Sequence, residues 1–375
     1  MPLTLRRAFA QISRAVTGWR GLACVTSNYS TATWLSLAPH SIHDLPFEIL
    51  ALIFVAGADT DCMFPTTVSH VCRTWRAIAH RTPSLWCHIT SDMSAEIRRL
   101  HFDRVKACPL HVQLAPLKPR PGAVGRQRLD VQNFMHMVVP TIRRWRSLKV
   151  LLTDYEPFLA NAALSGLSVA GKQSQATLLR DLTLIYPAND DSKEFCLFSG
   201  YAPQLRHLVL NGLRLMWMPS LFRNLTFLDY THHGFSLGEE AVYEMLVMLR
   251  VCPLLQELRL LFPAPKPTAL ARLLALPLDL KLPSRSRPVP LPHLLSMHLR
   301  VSTKDIPYEM TQLVARISTP KLVSLHLVDL GHRRRPFPNL HAFMLGYPRL
   351  PSLEIVYVDH GWHGDFRPRR KPARR

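Results

Sequence analysis

The sequence predicts an α/β chain: a small, all-helical N-terminal module followed by an irregular repeat array built on a parallel sheet. Three observations predict it. Two apolar helical stripes crowd residues 44–90. A six-residue pattern of the form L-x-x-L-x-L recurs seven times after residue 145. In five of those copies a proline stands two residues before the first leucine. Of the 375 residues, 47% are hydrophobic and only 19% charged, so most of the chain has the means to bury a core. Only 15 glycines argue against propellers and Gly-rich phosphate loops, whereas 31 prolines predict short elements with sharp stops.

Residues 1–43 hold four arginines and no acid. The stretch LRRAFAQISRAVTGWRG has the composition of a mitochondrial transit peptide, and equally of a disordered basic extension. Both readings stand. Residues 44–56 predict a helix, with Asp44 at its start, Pro46 in the first turn and Glu48 just inside. The run Ile49 to Val55 makes it apolar nearly all round, so more than one of its faces needs covering. Val68, Val71, Cys72, Trp75, Ile78 and Ala79 follow at helical spacing and predict a second, amphipathic helix stopped by Thr82-Pro83. Between residues 91 and 144 a helical linker region is expected. A helix over 92–107 turns Ile97, Leu100 and Val105 inward. A polar Pro/Gly loop spans 115–128. Another helix carries Val131, Phe134, Met135, Val138, Val139 and Ile142, with Asp130 as its cap.

The repeats begin at Leu179, Leu205, Leu225, Leu255, Leu294, Leu322 and Leu350, with a weaker copy from Trp145. Pro203, Pro253, Pro292, Pro320 and Pro348 precede five of them, ending one element and extending the chain into the next. Ser236 with Glu239 reads as a capping box ahead of Ala241–Leu249, and Tyr308–Ile317 reads as another helix. Residues 263–292 read as a Pro-rich loop around a short helix. A strand plus a connecting element every 20–30 residues is the arithmetic of a leucine-rich-repeat solenoid, here over residues 145–358. Its apolar strand face is buried by stacking. Its outward positions line a concave face fitted to a protein target: Asp181, Thr183, His207, Val209, Phe227, Asp229, Glu257, Arg259, Ser296, His298, Ser324, His326, Ser352 and Glu354. His207, Phe227, Asp229, Glu257, Arg259, His298, His326 and Glu354 are the candidate target contacts.

Leu45-Pro46-Phe47-Glu48-Ile49-Leu50, then Val71-Cys72-Arg73-Thr74-Trp75-Arg76-Ala77-Ile78-Ala79, then Pro83-Ser84-Leu85-Trp86 resembles the F-box. The order and spacing are similar to those of the large F-box families of mushroom-forming fungi, in which variable leucine-rich repeats follow the box. The connection Ala58–Pro65 departs from the pattern in being longer and more polar. The resemblance implies a substrate-receptor subunit of a Skp–cullin–F-box ubiquitin ligase. It would bind the Skp adaptor, and through it the cullin scaffold, by the box, and a target protein by the repeats. It implies no enzymatic activity and no cofactor. By the same resemblance Leu45, Pro46, Ile49, Ile53, Val71, Cys72 and Trp75 form the adaptor-binding set, while Trp75 and Trp86 also suit the box's own core.

Net charge is +20, with +11 over residues 92–366 and +6 in the last nine residues. That balance favours anionic partners and motivates the alternative reading, a basic nucleic-acid-binding or scaffold protein with a vestigial F-box. Residues 359–375 read as a basic disordered tail: a nuclear signal, a nucleic-acid contact or a solvated run. Cytoplasmic or nuclear placement follows, with the mitochondrial reading of the N-terminus beside it. Seven scattered cysteines without a CxxC suit a reducing compartment and no zinc site. His360 with His363, and His232 with His233, read as surface histidines rather than metal ligands. The longest apolar run, Ile49–Ala58, is too short to span a bilayer.

Overall fold

The computed structural model describes residues 42, 45–115, 124–169, 171–266, 287–346 and 352–363. The transit-peptide and tail readings (apart from residues 359–363), Asp44, Pro348 and Leu350 lie outside them, as do residues 267–286 of the Pro-rich insert. The fold is mixed α/β with a large parallel sheet and ten described helices. The chain divides into two compact units between Gln113 and Leu114. Among the described residues, no helix is long and apolar enough to cross a membrane.

The first unit runs α1 (Phe47–Thr60), α2 (Phe64–Ser69), α3 (Arg73–Arg81), a 3-10 turn (Pro83–Trp86), β1 (His88–Thr90), α4 (Ala95–Val105) and β2 (Leu110–Leu114). The stripe expected to form one helix from Val68 to Ala79 is divided between α2 and α3. Cys72 adopts an extended backbone and caps α3, its Sγ accepting the Trp75 N–H at 3.4 Å. The capping sulfur satisfies a first-turn donor that a continuous helix would have bonded internally. Phe54 packs on Trp75 with ring centroids 4.9 Å apart, and both are buried with Leu50, Phe64, Val68, Ile78, Leu85 and Trp86. The Trp86 indole N–H donates to the Ala79 carbonyl at 2.8 Å. The helix expected over 92–107 is α4, capped by Ser94. It buries Val105 as expected, and also His101, while Ile97 and Leu100 are half-buried. Within the expected helical linker, β2 instead pairs in parallel with β1, in the register His88 with His111.

The second unit opens with α5 (Val124–Val138) and a 3-10 segment over Val139–Arg144. Asp130 lies inside α5, not at its cap, because the good helix formers of Arg126-Gln127-Arg128-Leu129 start the helix upstream, within the expected loop. Then come β3 (Trp145–Leu151), α6 (Pro157–Ser165), β4 (Asp181–Ile185), β5 (Glu194–Phe195), β6 (His207–Asn211), β7 (Arg214–Leu215), α7 (Pro219–Phe222), β8 (Phe227–Thr231), α8 (Gly238–Val251) and β9 (Glu257–Leu261). The chain continues through β10 (Val289–Pro290), β11 (Ser296–Val301), α9 (Tyr308–Ala315), β12 (Ile317–Ser318), β13 (Ser324–Asp329), α10 (Leu340–Gly346) and β14 (Ile355–Val358). Strands β3, β4, β6, β8, β9, β11, β13 and β14 follow one another in chain order, each parallel to the next. Two short parallel pairs, β5–β7 and β10–β12, lie beside this ladder. β10 and β12 fall where a loop and the end of a helix were expected.

The repeat spacing explains the sheet. The first leucines of six copies, Leu179, Leu205, Leu225, Leu255, Leu294 and Leu322, are all 0% exposed. The fourth and sixth positions alternate inward, and each such side chain contributes roughly 1.5–3 kcal/mol of burial. The weak copy at Trp145 is a full rung, with Leu148 opposite Leu182. The last copy is displaced. Ile355, Val356, Tyr357 and Val358 oppose Ser324, Leu325, His326 and Leu327, so the strand starts three residues beyond Ser352 and Glu354 precedes it. The β-branched run Ile355-Val356-Tyr357-Val358 pairs better than the segment around Pro351, which lacks an N–H to donate.

Gly212 holds the turn after β6 at φ +78°, and a Cβ there would meet the Tyr186 carbonyl oxygen at 2.0 Å. Gly212→Ala is expected to destabilise the second unit by at least about 2 kcal/mol, since left-handed strain and a backbone collision add. A denaturant midpoint equal to that of the parent chain would refute this.

Candidate functional site

Two exposed surfaces and one buried polar cluster stand out. The first surface lies on α1. Leu50 and Phe54 hold its inner face, while Phe47 (65% exposed), Leu52 (59%), Ile49 (43%) and Leu45 (39%) stand in solvent. Pro46 is exposed; Ile53, Val71 and Cys72 are half-buried. Trp75 does not belong to this surface. At 1% exposed it serves the core, which corrects its place in the adaptor-binding set. Phe47 and Leu52 join the surface instead; their signal was the apolar circumference of α1, which names no outer face.

The second surface is the outward face of the parallel ladder. Register places Asp181, His207, Phe227, Glu257, Ser296, Ser324 and Ile355 in one row. Thr183, Val209, Asp229, Arg259, His298, His326 and Tyr357 form the next. The side chains are linked across rungs. His207 Nδ1 lies 2.7 Å from Asp181 Oδ1, and its ring centroid 6.0 Å from that of Phe227. The Arg259 guanidinium sits 5.1 Å above the Phe227 ring and 2.7 Å from Glu257. Arg300 clamps Asp229 with both terminal nitrogens. His298 stacks on His326 at 4.0 Å with planes 5° apart, and His326 on Tyr357 at 4.3 Å. Sequence reasoning placed seven of its eight candidate contacts on this face. Glu354 is the exception, because of the displaced last strand; its N–H donates to the Val323 carbonyl at 3.0 Å. Arg300 and Tyr357 were missed, Arg300 because it lies beyond the six-residue pattern and Tyr357 because of the same displacement.

Burial pushes the His298 imidazole down to about 4, with the charges of His326 and Arg259 acting in the same direction; His326 is lowered too, again chiefly by burial. His88, His101 and His233 are likewise pushed down to about 4, burial being the largest cause in each. An imidazole whose folded value lies below its ordinary 6.5 takes up its proton first in the unfolded chain. Stability is therefore complete above about pH 6.5 and falls as the pH drops toward about 4. The thermal midpoint should fall steadily across that window. A midpoint flat from pH 7 to 4.5 would contradict the neutral histidine stack.

The cluster is His232, His233 and Glu244. The two histidines are 3% and 4% exposed, not on the surface as the bare pair suggested. Their Nδ1 atoms accept the backbone N–H groups of Gly234 (3.1 Å) and Phe235 (3.0 Å), which puts the ring protons on Nε2. From there His233 donates to Glu244 Oε2 at 3.1 Å. His232 donates to Ser236 Oγ at 3.3 Å, and that hydroxyl donates to the same carboxylate oxygen at 2.5 Å. Arg214 reaches Oε1 at 2.8 Å. Burial pushes the Glu244 carboxyl up, but the histidine pair and Ser236 outweigh it and hold it well below the usual range. With the Nδ1 atoms accepting backbone N–H groups and the carboxylate accepting from His233, Ser236 and Arg214, the three side chains are tied into one hydrogen-bonded network. Ser236 does not cap α8 as expected; its hydroxyl is taken by Glu244, and α8 starts with no side-chain cap.

No protein-family model matches the sequence, and no curated protein matches it.

Proposed function

We propose that the chain is the substrate-receptor subunit of a Skp–cullin–F-box ubiquitin ligase. Its N-terminal helices act as the F-box, and its ladder, read as an irregular leucine-rich-repeat solenoid, holds a target protein. The observation that carries this reading is the outer side of α1. A helix so apolar, inside a unit this small, keeps Leu45, Phe47, Ile49 and Leu52 in water. Such a patch is costly unless a partner covers it, and the resemblance of residues 44–90 says what that partner is. The box-like order is supported by α1, α2, α3 and the Pro83–Trp86 turn, which fall where the resembling segments lie.

On this reading the chain performs no chemistry and needs no cofactor. It raises the local concentration of a target beside the charged ubiquitin-transfer enzyme. The outward face of the ladder suits the second half of the task, since aromatic rings and arginines are the side chains that anchor protein interfaces. Affinity capture of the full chain tests the proposal. A Skp-type adaptor and a cullin in the eluate are expected, and their absence sinks it.

A further inference from the structure

We propose that the target segment held by the ladder is acidic, an extended Asp/Glu-rich stretch gripped by an arginine ridge along the strand starts of β3, β4 and β6. This rests on the receptor reading above and names the chemistry of its target. Arg146, Arg180 and Arg206 occupy one register position. The Arg180 N–H donates to the Arg146 carbonyl at 2.8 Å, the Arg206 N–H to the Arg180 carbonyl at 2.9 Å, and the Thr226 N–H to the Arg206 carbonyl at 2.9 Å. The three residues therefore sit side by side on adjacent rungs, about 4.8 Å apart at the backbone. Arg146 and Arg180 are exposed and Arg206 is half-buried, its guanidinium donating to the Asn224 carbonyl at 3.0 Å. Lys149 adds an exposed cation on β3. Among the described residues, no carboxylate forms an ion pair with any of these four. Asp181, the nearest in sequence, is engaged by His207.

Like charges on neighbouring rungs repel, so this arrangement lowers the stability of the free chain and is relieved by an anion. Carboxylates suit it, because a guanidinium takes a carboxylate on two parallel N–H bonds. Alternate side chains of an extended peptide recur every ~7 Å, a spacing long arginines reach by splaying. The neighbouring rows decide between an acidic protein and a nucleic acid. Asp181 and Glu257 stand in the row one register position beyond the ridge, and Asp229 two positions further. A phosphate backbone carrying charge at every unit would run onto them, whereas a protein segment can place a basic or neutral residue there.

The test uses the full chain and two fluorescent probes of matched charge, an oligoglutamate peptide and an oligothymidylate. The peptide is expected to bind with an affinity that falls as salt rises. Arg146→Gln/Arg180→Gln/Arg206→Gln should weaken it about tenfold, whereas Arg→Gln throughout the last nine residues should change it by no more than about threefold. Equal peptide affinity in parent and triple Gln variant overturns the proposal. So does an oligonucleotide that binds more tightly than the peptide and loses the same factor, which would make the ridge a nucleic-acid surface. Adaptor capture on the same preparations separates the two claims. Capture without ridge-dependent peptide binding refutes the acidic target alone. Peptide binding without capture refutes the receptor reading and leaves the ridge as an acidic-segment site.

Discussion

Leu45→Asp combined with Ile49→Asp abolishes adaptor capture while the chain keeps its parental thermal midpoint. The two side chains are 39% and 43% exposed, so replacing them removes little packing from the free protein. In the complex both would be desolvated. Each substitution then loses apolar burial and places a carboxylate against a greasy surface, together at least about 100-fold in affinity. Leu50→Asp is the contrasting control. Leu50 is 3% exposed on the buried side of α1, and a buried unpaired carboxylate there should unfold the first unit. Capture that survives the double substitution, with the variant folded, would detach α1 from any adaptor role.

Glu244→Ala destabilises the second unit more than any single truncation of a half-exposed side chain in it, by about 3–5 kcal/mol. The carboxylate gathers Arg214, His233 and Ser236, and through Ser236 the buried His232. Removing it leaves the guanidinium with Glu194 and the Ser192 carbonyl and strands buried imidazole and hydroxyl donors. Glu244→Gln keeps an acceptor oxygen and should cost markedly less. Denaturant titration of the two variants reads the difference, and equal losses would show that packing, not the network, sets the penalty. The network also joins α8 to β7 and to the turn after β8. Its loss should therefore lower hydrogen-exchange protection in α8 before it does so in β11 and β13.

The ladder was legible because a parallel rung needs the same few things each time, a buried first residue and two inward side chains at period two, helped in five copies by a chain-straightening proline. The pattern survives irregular spacing, since connections of different lengths return the chain to the same register. It failed at the last rung, where Leu353 satisfies the pattern yet Pro351 cannot pair and the β-branched run three residues on can. Helix ends were less legible. Asp130 and Ser236 are good cap residues by type. Whether a cap forms depends on what else bids for the side chain and on how far upstream helix formers extend. For Ser236 the competitor is Glu244, eight residues along.

By itself the sequence determined the α/β class, the succession of parallel strands, the apolar excess of the first helix and most of the outward-facing row from Asp181 to His326. These follow from local periodicity, which is written in neighbouring residues. Only the tertiary structure decided which side of α1 is spare, that Trp75 belongs to the core, and that His232 and His233 are buried in a network closed by Glu244. The repeat pattern sets Arg146, Arg180 and Arg206 at the same position of their copies, and the structure shows the first two exposed and the third half-buried. Which side of an element is covered, and which side chains meet between different elements, are set by how distant segments pack, and a periodic pattern carries no information about that.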